Sequence, residues 1–250
     1  QLMMPKELST FAITSPAVAP ITRVRFSPTG MKFGAVDRAG NMALWNLTSG
    51  ENSALPFYKV LAHSKGASDF AFLNSGTFLA TCGTTPNRRN LCMWDSLLPA
   101  SSTMVGFCGE LDSPVTSVAY SPRYQLLVAG DSQGAIHALD VRKFSVMQTI
   151  KEHTSEVTAI SFEPHNEFFF STSADGTTKA WRAQPLVLQH SWSIAAPERS
   201  LSRSVTSVVF RDMAGNGVND IQVIEKDGRL AVFTAGHDGK LVENVVHYAI

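Results

Sequence analysis

His153, a serine at 171 or 173, and Asp175 lie within a short span of this 250-residue chain, with Trp181 following. Read as chemistry, they offer a hydroxyl nucleophile, an imidazole to take its proton and a carboxylate to orient the imidazole. The same residue types also serve structure. A buried indole N–H, hydroxyl, imidazole and carboxylate each need a hydrogen-bond partner, and a linked set supplies all of them while fixing a turn and the register around it. Structure is the preferred reading, because decayed copies of the set recur: His63, Trp94 and Asp95 stand at one corresponding place, Leu139 and Asp140 at another. A catalytic site occurs once and needs oxyanion donors of its own. The sequence contains no phosphate-binding P-loop motif. We therefore expect no catalytic residue, and a structural network of His153, Ser171, Ser173, Asp175 and Trp181.

A second candidate is the string GTTPNRRN, residues 83–90. Loops held by rigid strands carry binding, and arginine is enriched at interface hot spots. Arg88, Arg89 and Asn90 are thus candidate partner contacts, against the plainer reading of a solvated turn. The seven histidines do not fall at metal-ligand spacing from one another or from a cysteine, so neither metal nor cofactor is expected. The cysteines, Cys82, Cys92 and Cys108, are odd in number and read as free thiols of a reducing compartment. The sequon Asn46-Leu47-Thr48 is then silent.

The elements that position these residues emerge when the chain is laid over itself, since a period of about 40 to 50 residues marks propellers and solenoids. Three segments open alike, with ITRVRFSPTG from Ile21, VTSVAYSPRY from Val115 and VTAISFEPHN from Val157; SDFAFLNSG from Ser68 is a looser copy. Each alternates with the period of a strand and is stopped by Pro or another turn former. A second strand follows in each repeat (MKFGAVD, TFLATCG, QLLVAGD, EFFFSTS), then a turn, then a third (NMALWN, NLCMWD, AIHALD, TTKAWR). Ala174-Asp175-Gly176 is the clearest of those turns. A sandwich also gives many short strands, but internal repetition with tryptophan near the third-strand end disfavours it. The spacing predicts an all-β chain of about five four-stranded WD40-type blades, approximately 21–62, 63–112, 113–152, 153–199 and 200–250. In the last of these, RLAVFTAGHDGKLVENV is read as strand, Asp-Gly turn, strand, and 200–218 as an insertion or an irregular lead-in. Residues 1–20 are read as a linker or the last strand of a preceding blade.

Lys+Arg and Asp+Glu both number 21, so no net basic field favours sequence-independent nucleic-acid binding. No apolar run approaches the ~20 residues that cross a bilayer, and the first residues do not read as a signal peptide. Any membrane association is expected to be peripheral.

Several strings together resemble the carboxy-terminal propeller of the rabconnectin/DmX-like family, whose fungal relative is the large subunit of the RAVE complex. They are RVRFSPTGMKFGAVDRAGNMALW, ASDFAF with LATCG and NRRNLCMWDSLLP, SPRYQLLVAGDSQG, EFFFSTSADGTTKAW and FTAGHDGKL, spanning Ile21 to Leu241. The Asn-Arg insertion before Trp94-Asp95 is the most specific of them. The resemblance implies a very large cytosolic scaffold that promotes assembly of the vacuolar proton pump. Its implied partners are peripheral-sector subunits and other scaffold-complex members, at endosomal, lysosomal or secretory vesicle membranes. A generic propeller adaptor, such as a ubiquitin-ligase substrate receptor or a coat component, is the competing expectation. An open arc of blades leaves unpaired edges, so blades outside the chain are expected to complete a ring, and residues 1–250 alone to be poorly soluble.

Overall fold

Alternating side chains make strands, and tight turns fold consecutive strands back on each other. A computed structural model of the protein describes Ile13 and residues 19–47, 55–74, 76–99, 101–193, 218–226, 229–236 and 241–246. Side chains at 190, 192, 193, 219, 226, 236 and 241–246 lie outside that description. The chain forms two compact units, Gln1–Phe107 and Cys108–Ile250.

The first unit holds two antiparallel meanders. One runs β1 (Ile21–Phe26), β2 (Lys32–Asp37), β3 (Asn41–Asn46), β4 (Tyr58–Leu61) in that spatial order; the other runs β5 (Ala67–Leu73), β6 (Phe78–Gly83), β7 (Leu91–Asp95), β8 (Met104–Phe107). The second unit repeats the design with β9 (Val115–Ser121), β10 (Leu126–Asp131), β11 (Ala135–Asp140), β12 (Ser145–Lys151), then β13 (Val157–Phe162), β14 (Phe168–Ser173), β15 (Thr177–Arg182), β16 (Val187–Ser193). Its last sheet has three strands, β17 (Val218–Lys226), β18 (Arg229–Gly236) and β19 (Leu241–Val246). The described residues therefore make four four-stranded blades and one three-stranded sheet, where about five four-stranded blades were expected. The expected strand ELSTFAITSP, apart from Ile13, the lead-in 200–217 and the turn at Asp238-Gly239 lie outside the described residues.

Neighbouring sheets within a unit pack face to face. In the first unit, Met42 and Leu44 of one blade meet Phe70, Leu79 and Trp94 of the next. In the second, Val128 and Ile136 meet Ile160, Phe169 and Trp181, while Phe170 and Ala180 meet Ile221 and Val232. Each buried aromatic or branched side chain contributes about 1.5–3 kcal/mol.

Two polar devices set the spacing between blades. The second residue of the first strand is threonine in three blades, and its hydroxyl donates to the carbonyl that opens the next first strand: Thr22 to Ala67 (2.8 Å), Thr116 to Val157 and Thr158 to Val218. The second device is a glycine. Gly40 (φ +94°) and Gly134 (φ +84°) occupy left-handed turns between second and third strands. A Cβ there would lie 1.6 Å from the His63 carbonyl oxygen and 2.3 Å from that of His153, respectively. Only glycine allows the turn of one blade to touch the segment leading into the next.

Candidate functional site

Ser171 lies on β14 two residues beyond Phe169, which faces Trp181 on β15. That register brings the Ser171 hydroxyl under the indole, and Trp181 Nε1 donates to Ser171 Oγ over 2.8 Å. His153, in the segment before β13, places Nε2 2.7 Å from the same oxygen and Nδ1 2.8 Å from Thr177 Oγ1. Thr177 Oγ1 donates to Asp175 Oδ1 at 2.6 Å, and Asp175 Oδ2 is 3.4 Å from His153 Nδ1. One tautomer satisfies every member: indole N–H to serine, serine O–H to Nε2, Nδ1–H to threonine and carboxylate.

Asp175 also accepts the backbone N–H groups of Thr154 (2.7 Å) and Thr177 (2.8 Å). Burial favours its neutral form, but the bonds from Thr177 and Thr154 outweigh that and hold its pKa at about 2. Burial dominates at His153 and pushes its pKa down to about 4, against the pull of Asp175. The imidazole is thus neutral beside an ionised carboxylate.

Serine, imidazole and carboxylate stand here in the order a hydrolase uses, yet Ser171 is 0% exposed and His153 2%. A nucleophile has to meet substrate. In this arrangement the set ties β14, β15, the turn between them and the segment before β13 into one network. The structure brings together His153, Ser171, Asp175 and Trp181, and adds Thr177, which the sequence reading missed. It sets Ser173 apart: that hydroxyl accepts the Asp175 N–H and donates to the Ser155 carbonyl, both at 3.1 Å, and so shapes the turn.

The same register explains the other blades. Two residues past the partner of the third-strand tryptophan, the second strand has Thr81 in one blade, Ala35 and Ala129 in others. Thr81 Oγ1 accepts from Trp94 Nε1 (2.8 Å) and meets His63 Nε2 (2.9 Å), so this blade keeps the indole–hydroxyl–imidazole part of the relay, without the threonine and carboxylate that His153 Nδ1 meets. Burial lowers the His63 pKa to about 4 as well. In β9–β12 the positions of His153, Ser171 and Trp181 are taken by Leu111, Ala129 and Leu139, all buried, so the histidine, hydroxyl and indole are replaced together by apolar side chains. Exchanging these three partners at once avoids the penalty of an orphaned group. That sheet has instead a pair the sequence did not signal: His137 Nε2 lies 3.2 Å from Asp131 Oδ2, and Nδ1 2.9 Å from Thr149 Oγ1. Asp131 is buried, which favours its neutral form, but the bonds from His137 and the Ala135 and Gln133 N–H groups lower its pKa.

The segment between β6 and β7, residues 84–90, replaces the short glycine turn of the other blades. Arg88 (φ +56°) and Arg89 are exposed, and the Arg89 guanidinium lies 4.9 Å over the Phe107 ring. Asn90 does not belong with them as a contact. It is 3% exposed, its side-chain oxygen accepts the Thr85 N–H (3.0 Å) and its carbonyl accepts the Gly83 N–H (3.0 Å), so it shapes the turn. Elsewhere in the first unit, Arg25 makes a bidentate pair with the fully buried Asp69 (3.0 and 2.7 Å), and Arg23 approaches the same carboxylate at 3.4 Å. Among the described residues no group of three His, Cys, Asp or Glu could hold a metal ion, and no helix is long and apolar enough to cross a membrane. Cys82, Cys92 and Cys108 are free and buried, and burial raises each thiol pKa, that of Cys92 to about 12.

Comparison with known proteins places this geometry. Residues 144–182 match the family model "WD domain, G-beta repeat", which takes in the His153–Trp181 relay. The chain is 32% identical to mouse DmX-like protein 1 over 226 residues and 31% identical to the human protein over the same length, covering 88% of this chain. It spans about 7% of the length of either relative. Periodic tryptophan protein 2 of Arabidopsis thaliana is 29% identical over 50% of the chain and 14% of that relative. The repeat match and the similarity along most of the sequence agree with the blade structure, and the chain belongs to the DmX-like family of WD40-repeat proteins.

Proposed function

We propose that this chain is a non-catalytic scaffold segment that helps assemble the vacuolar proton pump, as the DmX-like and rabconnectin resemblance implies. Its similarity to DmX-like protein 1 over 88% of the chain carries the reading. The buried relay supports it from the side of chemistry, because the residues that would form a hydrolase triad are occupied with one another and closed to solvent. The partners proposed are peripheral-sector subunits of the pump and other members of the scaffold complex. The protein would act on the cytosolic side of endosomal, lysosomal or secretory vesicle membranes, without inserting into them.

The three-stranded sheet β17–β19 is read as a fifth blade. The Thr158 hydroxyl bonds the Val218 carbonyl as its counterparts bond the first strand of the next blade, which supports this. Further blades outside these residues would complete a ring. The first blade supports that view with large apolar side chains open to solvent: Val24 is 50% exposed and Phe26 65%, beside a Phe33–Trp45 stack at 5.0 Å. Another sheet packed there would bury them.

Affinity purification of the full-length protein tests the reading. Peripheral-sector pump subunits are expected among its partners; their absence would leave the generic propeller adaptor as the better account.

A further inference from the structure

In the first unit, the segment 84–90 overhangs an open cleft of about 320 Å³. It is lined by Leu61 and Ala62 at the end of β4, by Pro86 and Arg89 of the segment, and by Trp94 and Met104. The volume lies at the lower end of the ~300–1,000 Å³ typical of ligand clefts. Leu61 is 59% exposed, although its side chain is large and apolar. Among the described residues no carboxylate lines the cleft, and Arg89 is its charged member. Arg88 and Lys65 add positive charge nearby: both are exposed, and the Lys65 N–H bonds the Thr84 carbonyl at 3.1 Å, which ties Lys65 to the start of the segment.

The segment is built to hold this shape. The Asn90 side-chain oxygen closes it onto the Thr85 N–H, the Arg89 carbonyl accepts from Cys92 Sγ at 3.4 Å, and Arg88 adopts a left-handed conformation that only a few per cent of non-glycine residues share. The Phe107 ring beneath the Arg89 guanidinium restrains it, and a guanidinium held against a ring face keeps N–H donors free to meet a carboxylate.

Building on the scaffold reading above, we propose that this cleft docks an extended segment of a partner protein in which a bulky apolar side chain neighbours an aspartate or glutamate. The apolar side chain packs on Leu61, Trp94 and Met104, and the carboxylate pairs with Arg89. A lining of apolar side chains with the uncharged Ser64, Thr85 and Asn87 and one arginine suits such a peptide better than a nucleic-acid strand, which needs a basic track with stacking rings along it.

The test uses the immobilised full-length protein and a phage-displayed library of random decapeptides. Selected peptides are synthesised with a fluorophore, and their affinities measured by polarisation for the parent, Arg89→Glu, Leu61→Glu and a control, Lys143→Glu, in the other unit. Selection of acidic–apolar pairs is expected, with affinity at least tenfold weaker in R89E and L61E, unchanged in K143E, and weakened by replacing the peptide acid with its amide. Circular dichroism of the variants should match the parent, since positions 61 and 89 are exposed. Peptides without acidic enrichment, or binding within twofold of parent in both R89E and L61E, would overturn the proposal. So would a single-stranded RNA oligonucleotide that displaces the peptide and is itself sensitive to R89E. Peptide binding together with failure to recover pump subunits would retire the pump reading and leave the cleft standing.

Discussion

Replacing Ser171 with alanine removes one oxygen and strands two groups. Trp181 Nε1 and His153 Nε2 both bond that oxygen, at 2.8 and 2.7 Å, and the two side chains are 0% and 2% exposed, so water cannot take its place. Leaving a buried polar group unsatisfied costs ~1–3 kcal/mol, so two of them should destabilise the protein by about 3 kcal/mol, a factor of roughly 150 in the folded-to-unfolded ratio. Ser171→Thr should fall within about 1 kcal/mol of parent, because Thr81 fills the same register position in β5–β8 with its own tryptophan and histidine at 2.8 and 2.9 Å. Urea denaturation gives the global value, and hydrogen exchange at the β14–β15 amides localises it. A Ser171→Ala protein within 0.5 kcal/mol of parent would refute the claim that the relay is structural.

Further outcomes follow from the same geometry. His63 and His153 have folded pKa values of about 4, below the unfolded ~6.5, so the folded chain binds fewer protons between those limits. The contribution of these two histidines is therefore constant above about pH 6.5 and falls as the pH drops toward 4, by up to about 3 kcal/mol for each; a rise in stability over that interval in urea titrations would contradict the assignment. Gly134→Ala sets a Cβ 2.3 Å from the His153 carbonyl at φ +84°, and should cost more than about 1 kcal/mol in thermal melts, whereas an unchanged melt would place the turn elsewhere. Asp69→Ala leaves Arg25 facing a buried gap and should cost about 2 kcal/mol, reduced from a fully buried pair because Arg25 is 33% exposed; a change under 0.5 kcal/mol would dismiss that pair as a link between blades. The three thiols, buried and raised in pKa, should resist maleimide in the native protein and react once it unfolds.

The first three strands of the blades could be read from sequence because most are buried enough for their pattern to show, and β1, which has no buried residue, shares its opening with the other repeats. In β9 the inward Val115, Ser117 and Ala119 alternate with half-buried Thr116 and Tyr120, and β10 and β11 are buried throughout. The fourth strands gave no such signal. β8 and β12 mix exposed and half-buried residues along their length and β4 buries only Tyr58, so a short edge strand with one neighbour looks like loop in sequence. The relay was legible in part. His153, Asp175 and Trp181 stand at repeat positions, but the choice between Ser171 and Ser173 depends on which one pairs two residues beyond the partner of Trp181, a fact of register. Thr81 escaped notice for the same reason, and its blade looked decayed because a seven-residue segment replaces the Asp-Gly turn. His137 with Asp131 could not be foreseen, since His137 occupies no repeat position and meets Asp131 only across the turn. Asn90 was grouped with its arginine neighbours by sequence, while the backbone turns its side chain inward.

The proposed role in proton-pump assembly is tested most directly by the assembly state of the pump. In cells lacking the full-length protein, the fraction of peripheral-sector subunits recovered on endolysosomal membranes should fall. Re-expression of the full-length protein should restore it, and re-expression without residues 21–246 should not. An unchanged membrane fraction on loss of the protein would contradict the claim.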